Sequence, residues 1–202
     1  KGLVLPPNLA PIQVVIVPIF KGKEQLEEIS FLAKKIKNEL ETKNLRVKFD
    51  DRENLKPGFK FAEHEMKGIP VRIAIGPKDI DKNQVELARI DTEKKIFIKQ
   101  SIVTEEVEKI LKEIHTNLFE RAKKFLEENI TEVNNYEEFK NIINKKGGFV
   151  FAYWDGTTET EEKIKKETKA TIRCIPYSSS SKGKCVLTGK ESNQKVYFAK
   201  SY

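Results

Sequence analysis

Gln13-Val14-Val15-Ile16-Val17-Pro18-Ile19 is an unbroken apolar run rich in β-branched residues, as expected of a strand buried on both faces. Apolar residues then recur at Leu26, Ile29, Leu32 or Ala33, Ile36 and Leu40 on a Lys/Glu-rich background. That is the period of an amphipathic helix, and Asn44 supplies a stop. Leu45, Val47 and Phe49 alternate with Arg46 and Lys48, the two-residue period of a second strand. Strand, helix and strand at this spacing form a βαβ unit, for which right-handed parallel pairing is expected. The fold class is therefore read as α/β.

Further elements extend this unit. Asp50 to Gly58 is a polar loop, Phe59 to Lys67 a short helix ended by Gly68, and Val71 to Ile75 a strand closed by a turn at Gly76-Pro77. Val85 to Ile90 and Lys95 to Ile98 read as a hairpin of exposed strands. Thr104 suits the cap of a long helix carrying Val107, Ile110, Leu111, Ile114, Leu118, Ala122, Phe125 and Leu126. The α/β domain is expected to end between residues 115 and 128. Beyond it the texture changes. A short helix around Tyr136 to Ile143 stops at Gly147-Gly148, and Phe149 to Trp154 is an apolar strand. Thr158 with Glu161 reads as a capping box opening a Lys-rich helix. The run from Ser178 to Gly183 reads as a flexible loop between two strands.

Composition sets the outer bounds. The 202 residues are 38% hydrophobic and 34% charged, which describes a heavily charged globular chain. No apolar run approaches the ~18 residues that would span a bilayer, so no membrane partner is expected. The start Lys1-Gly2-Leu3-Val4-Leu5-Pro6-Pro7 has no signal-peptide core and no methionine, and suggests a piece of a longer protein. Lys and Arg number 38 against 31 acidic residues, a net charge of +7. This balance suits a polyanion such as RNA and suits equally a chain with lysine-rich solvated helix faces. Cys174 and Cys185 are too few for a disulfide scaffold and point to a reducing compartment.

Several constellations carry candidate chemistry. Asp50 and Asp51 at a strand exit could accept a phosphoryl group with Mg²⁺. However, Arg52-Glu53 running into Pro57-Gly58 does not match a receiver domain, and the pair reads as a turn with solvated carboxylates. The run from Gly183 to Lys190 is out of register for a Walker A loop, and Glu191 stands where Ser or Thr would hold Mg²⁺. His64 and His115 lack a second ligand at metal spacing and read as surface or interface histidines. Glu65, Arg72, Lys78 and Asp79 offer charged donors and acceptors around one strand. Such groups suit the base edges of unstacked single-stranded RNA, although chemistry alone reads them first as a salt-bridged surface.

The order of motifs shifts that weighting. Leu3-Val4-Leu5-Pro6-Pro7 followed by Ala10-Pro11-Ile12-Gln13 resembles the passage from motif 3 of a class II prolyl-tRNA synthetase into its anticodon-binding domain. Asp50-Asp51-Arg52-Glu53, Pro57-Gly58-Phe59-Lys60-Phe61, Glu65-Met66-Lys67-Gly68-Ile69-Pro70-Val71-Arg72 and Gly76-Pro77-Lys78-Asp79 are similar to that domain's most recognisable stretch. Arg173-Cys174-Ile175-Pro176 and the ending Tyr197-Phe198-Ala199-Lys200-Ser201-Tyr202 resemble the family's terminal domain. The resemblance is to the archaeal/eukaryotic type and covers essentially the whole chain.

The resemblance implies a linker from a catalytic domain over residues 1–12 and an anticodon-binding domain over 13–115, built on a mixed five-stranded sheet flanked by helices. A small α+β C-terminal domain over 116–202 would follow. Glu65, Arg72, Lys78 and Asp79 would face the anticodon guanines, with Lys94 a fifth contact, and the Tyr202 carboxylate would lie near the parent's proline-activation site. No catalytic residue is expected in the chain. The parent would be a cytoplasmic homodimer using ATP and Mg²⁺ to attach proline to tRNA-Pro, with the same-chain catalytic domain as partner. Asn8 stands where the family carries an arginine that contacts ATP. The family's four zinc cysteines fall here on Asp155, Thr160, Cys185 and Thr188. Threonine is a negligible zinc ligand, so zinc is expected to be absent. Packing of Tyr153, Trp154, Tyr197 and Phe198 would replace the ~10 kcal/mol or more of metal-linked folding energy. The alternative class is a stand-alone RNA- or protein-binding module derived from a synthetase.

Overall fold

The computed structural model describes residues 2–177 and 182–200, and the chain divides into two compact units, Lys1–Arg121 and Ala122–Tyr202. Unit one opens with strand β1 (Val14–Pro18), helix α1 (Lys23–Thr42) and strand β2 (Val47–Phe49). β1 pairs in parallel with β2 and, on its other side, with β3 (Val71–Ile75), which is reached through α2 (Pro57–Met66). α3 (Pro77–Asp81) leads into the antiparallel strands β4 (Gln84–Arg89) and β5 (Lys95–Lys99). The sheet order is β2-β1-β3-β4-β5. This is the mixed five-stranded, helix-flanked sheet expected of the chain.

Strand alternation divides the sheet into two faces. Val14, Ile16, Val71, Ile73, Val85 and Leu87 form one core with Ile29, Ile36 and Leu40 of α1 and Val107, Ile110 and Ile114 of α4 (Val103–Glu128). On the opposite face α2 contributes cover: Phe61 joins Ile12, Val15, Val17 and Ile69 in a smaller cluster over β1. The outer part of that second face, on β3, β4 and β5, carries Arg72, Gln84, Glu86, Lys95 and Lys99 interspersed with Ala74, Ala88 and Phe97. Gly68 ends α2 at φ 73°, and a Cβ there would fall 2.9 Å from Leu3 Cβ, so the N-terminal segment can lie against it only because the position is glycine.

Two local readings are corrected. Gly76-Pro77 opens α3 and is not a simple turn, because proline at the first helical position is pre-set for the helix and Asp79 accepts a hydrogen bond from the Gly76 amide at 2.9 Å. Thr104 does not cap the long helix but lies within it, since α4 begins at Val103 after a 3₁₀ turn over Gln100–Ile102.

Unit two contains β6 (Ile130–Glu132), α5 (Tyr136–Asn141), a π-helical turn at Ile142–Lys146, β7 (Phe149–Trp154), α6 (Thr158–Thr168), β8 (Ala170–Cys174), the short strands β9 (Gly183–Lys184) and β10 (Glu191–Ser192), and β11 (Gln194–Lys200). Its four-stranded sheet has the order β6-β7-β11-β8, with β6 parallel to β7 and β11 antiparallel to both neighbours. Val150, Ala152, Val196 and Phe198 pack with Phe139, Ile143 and Ile164 from the helices, and Trp154 packs against the edge of this core. On the other face Tyr197 stacks on Phe151 at 4.4 Å. The capping-box reading shifts by one residue: Thr157, not Thr158, caps α6, its side chain accepting from the Thr160 amide at 3.4 Å. Ser178 to Ser181, Ser201 and Tyr202 lie outside the described residues. Among the described residues no helix is long and apolar enough to cross a membrane.

Candidate nucleic-acid interface

The site is assembled by holding α2 against the strand ends. Asp50, the first residue after β2, is 1% exposed. Arg52 clasps its carboxylate with Nε and Nη2 donating at 2.7 Å each, and His64 Nε2 lies 2.7 Å from Oδ2. Lys60, fully buried, donates to the Asp50 carbonyl at 3.0 Å. Burial opposes the Asp50 charge, yet the Arg52 and His64 hydrogen bonds and the nearby Lys60 charge outweigh it and hold the carboxyl well below the usual range. Burial pushes both the His64 imidazole and the Lys60 amine down, against the pull of Asp50. Glu63, bonded by Lys67 and Arg52, is held down to about 2. The structure thus corrects two expectations. Asp50 is not a solvated turn carboxylate, and His64 is a buried partner of Asp50 rather than a surface histidine. His115 is exposed on α4.

The network ties down the helix that carries Phe61 and Glu65. The Arg72 guanidinium, on β3, lies 3.7 Å from the Phe61 ring centroid. Its Nη1 donates to Glu65 Oε1 and its Nη2 to Glu86 Oε1, both at 3.2 Å. Its Nε is buried with no hydrogen-bond partner. Aromatic stacking fixes the guanidinium plane and the two carboxylates fix its rotation. Arg72, Glu65, Ala88 and Lys95 line a cleft of about 540 Å³ together with Ile69 and Ile90. Donors and acceptors at such a cleft can meet the edge of an unstacked base.

Lys78 and Asp79 lie on α3, after the far end of β3. Asp79 is occupied on both oxygens, by the Gly76 amide and by Gln84 Nε2 at 3.3 Å, whereas Lys78 is exposed. The register Ala74↔Glu86 and Arg72↔Ala88 sets Arg72, Glu86 and Gln84 along one face, a row running from the cleft to Asp79. Lys94 stands apart: it lines a different hollow, against α4, with Glu105, Lys109 and Glu113. Its neighbour Lys95 is the one at the Arg72 cleft. Tyr202 lies outside the described residues. Phe61 and Glu86 join the site without standing out in the sequence. The alternation of β4 carried the signal for Glu86, since it fixes which side chains share the Arg72 face.

In unit two, Asp155 follows β7 directly. Its Oδ1 accepts from Thr157 Oγ1, and its Oδ2 accepts from Thr160 Oγ1 and Thr188 Oγ1, each at 2.9 Å. Burial works against the Asp155 charge, and these hydroxyl donors outweigh it and lower its pKa. Three of the four positions matched to zinc ligands therefore meet in one hydrogen-bonded cluster, while Cys185 is buried with its amide bonded to the Lys190 carbonyl at 2.8 Å. One thiol and one carboxylate already accepting several hydrogen bonds do not fit a four-ligand zinc site. Among the described residues no three His, Cys, Asp or Glu side chains are grouped to hold a metal ion.

Comparison with known proteins adds to this geometry. The family described as "Anticodon binding domain" matches residues 13–114, and that described as "Prolyl-tRNA synthetase, C-terminal" matches residues 136–202. The chain is 54% identical over 203 residues to a proline--tRNA ligase of Christiangramia forsetii, with 100% of this chain and 41% of the relative covered. A proline--tRNA ligase of Flavobacterium psychrophilum is 54% identical over 204 residues with the same coverage. A solved structure, prolyl-tRNA synthetase from Cryptosporidium parvum complexed with L-proline and AMP, is 34% identical with a TM-score of 0.91, covering 100% of this chain and 43% of that one. The chain thus spans about two fifths of the length of the curated relatives it matches.

Proposed function

Because the chain belongs to the prolyl-tRNA synthetases, whose anticodon-binding and C-terminal domains it carries, we propose that its first unit reads the anticodon guanines of tRNA-Pro for a proline--tRNA ligase. The observation that carries this reading is the Arg72 guanidinium, stacked on Phe61 and held between Glu65 and Glu86 at the edge of a cleft beside α2. Arg72 offers donors to guanine acceptors, and Glu65 accepts from the imino and amino groups of the same base edge. Lys78 adds a cation beyond Asp79, Asp79 orders the α3 turn and the Gln84 amide, and Lys94 is a more distant cation at the hairpin.

The parent ligase would bind ATP and Mg²⁺ in a catalytic domain of the same chain, act as a homodimer in the cytoplasm, and receive the Tyr202 carboxylate near its proline site. The chain supplies recognition and none of the reacting groups. Its terminal unit works without zinc, with the Asp155 cluster tying together the elements a metal would join.

Titrating the chain with tRNA-Pro and with the same tRNA carrying adenines in place of the anticodon guanines tests the reading. A preference of roughly ten-fold or more for the guanines is expected, and Arg72→Ala should remove it. Equal affinity of the wild-type chain for both RNAs overturns the reading. Metal analysis of the purified chain should find no stoichiometric zinc, and zinc at one per chain would contradict the metal-free assignment.

A further inference from the structure

The sheet face that holds Arg72, covered there by Phe61, continues onto β5, where its residues are exposed. Cross-strand register carries the face outward along two rows, Arg72↔Ala88↔Lys95 and Ala74↔Glu86↔Phe97, with Gln84↔Lys99 beside them. Directly paired residues project to the same side of a sheet. Lys95, Phe97 and Lys99 therefore share the Arg72 face, while Ile98 turns to the helix-covered core. Phe97 is 60% exposed, flanked by an exposed lysine on each side two residues away. The acidic group opposite it, Glu86, has its charge met by Arg72 at 3.2 Å and Lys95 at 3.7 Å. The face around Phe97 therefore presents an aromatic ring between cations. Two strand spacings separate β5 from β3, roughly 10 Å.

We propose that Phe97 is a stacking platform for an RNA base adjoining the one read at Arg72, with Lys95 and Lys99 holding the flanking phosphates. The proposal rests on the anticodon reading above and extends its footprint across the sheet to β5. An exposed ring between cations suits single-stranded RNA because every base has a stackable face and every linkage a negative charge. This contact adds affinity with little preference among bases, in contrast to Arg72, which would carry the preference.

The test uses the 202-residue chain and an RNA hairpin presenting the anticodon guanines in its loop, with a second hairpin carrying adenines there. Phe97→Ala is expected to weaken binding by roughly five- to a hundred-fold for both hairpins, leaving their ratio unchanged. Phe97→Leu, which keeps apolar bulk without a π face, should lose as much, and Phe97→Trp should bind like wild type. Arg72→Ala should instead collapse the ratio. Lys95→Ala and Lys99→Ala should each reduce the slope of log K against log salt by about 0.7. Wild-type affinity in Phe97→Ala or Phe97→Leu, with the guanine preference intact, overturns the platform and leaves the anticodon reading standing. A wild-type chain without guanine preference, whose affinity still falls in Phe97→Ala, overturns the reading and keeps the platform. No binding of either hairpin by wild type overturns both.

Discussion

Asp50 and Asp155 are each the first residue after a strand, each anchors a neighbouring helix, and each is kept charged against burial, but by different means. Asp50 is fully enclosed and is neutralised by ionic and imidazole partners, Arg52, His64 and Lys60. Asp155 is half-buried and is satisfied by three threonine hydroxyls. Taking a carboxylate wholly out of water requires counter-charge, whereas one that keeps some solvent can be held by neutral donors. The first arrangement fixes α2, and with it Phe61 and Glu65, around Arg72. The second joins the β7 exit, the start of α6 and the turn at Thr188, at three of the four positions that the resemblance matched to zinc ligands.

The largest break in this comparison should come from Asp50→Ala. It strips His64 of its acceptor, leaves Arg52 with Glu63 alone, and removes a counter-charge from Lys60. Removing one partner of a buried ion pair costs about 3–5 kcal/mol. Denaturant unfolding should show that loss, and amide exchange in α2 should accelerate. A change under about 1 kcal/mol would mean that the network does not hold the helix. Asp155→Ala should cost less, about 2 kcal/mol, because the released hydroxyls can turn to water, with faster exchange confined to unit two. A loss equal to that of Asp50→Ala would erase the distinction drawn between buried charge and half-buried hydroxyl networks.

Acid should separate the units more gently. His64 titrates near 6.5 when unfolded and lower when folded, so below that pH the unfolded chain takes up a proton that the folded one resists. Unit one should therefore lose stability as pH falls from 7.5 towards 5, and lose more below about 4, where Asp50 takes up a proton in the unfolded chain and resists it in the folded one. His64→Asn should flatten the upper part of that profile. Unit two contains no histidine and should hold steady over the upper range, so a parallel decline in both units would count against the assignment. Thr188→Val, which removes one exposed donor to Asp155, should have the smallest effect, about 1 kcal/mol or less.

Much of this architecture was legible in the sequence because it follows periods of two and 3.6. The run Val14–Pro18, the helix through Ile29, Ile36 and Leu40, and the hairpin around Val85 and Ile98 declare themselves in that way, but the hairpin is not exposed as expected, because Val85 and Leu87 pack into the core against α4. Short elements lack the residues to show a period: β6 and the β9/β10 pair were not read. Two adjacent threonines, Thr157 and Thr158, are equally suited to cap α6, and propensity does not choose between them. The proline at 77 can close a turn or open a helix, and Asp79 decides for the helix. The burial of Asp50 was hidden because it depends on Arg52, Lys60 and His64 converging only once α2 packs back on β2. In the site, charge and motif pointed to Arg72 and Glu65, whereas the Glu86 contact and the separate position of Lys94 follow from hairpin register. Chain order alone did not show them.

The most direct measurement is a double-mutant cycle crossing Arg72→Ala with replacement of the anticodon guanines by adenines, read as RNA affinity. Direct reading predicts strong non-additivity, with the second change costing little once the first is made and a coupling of about 1 kcal/mol or more. Penalties that simply add would mean that Arg72 and the guanines do not meet, and would contradict the account.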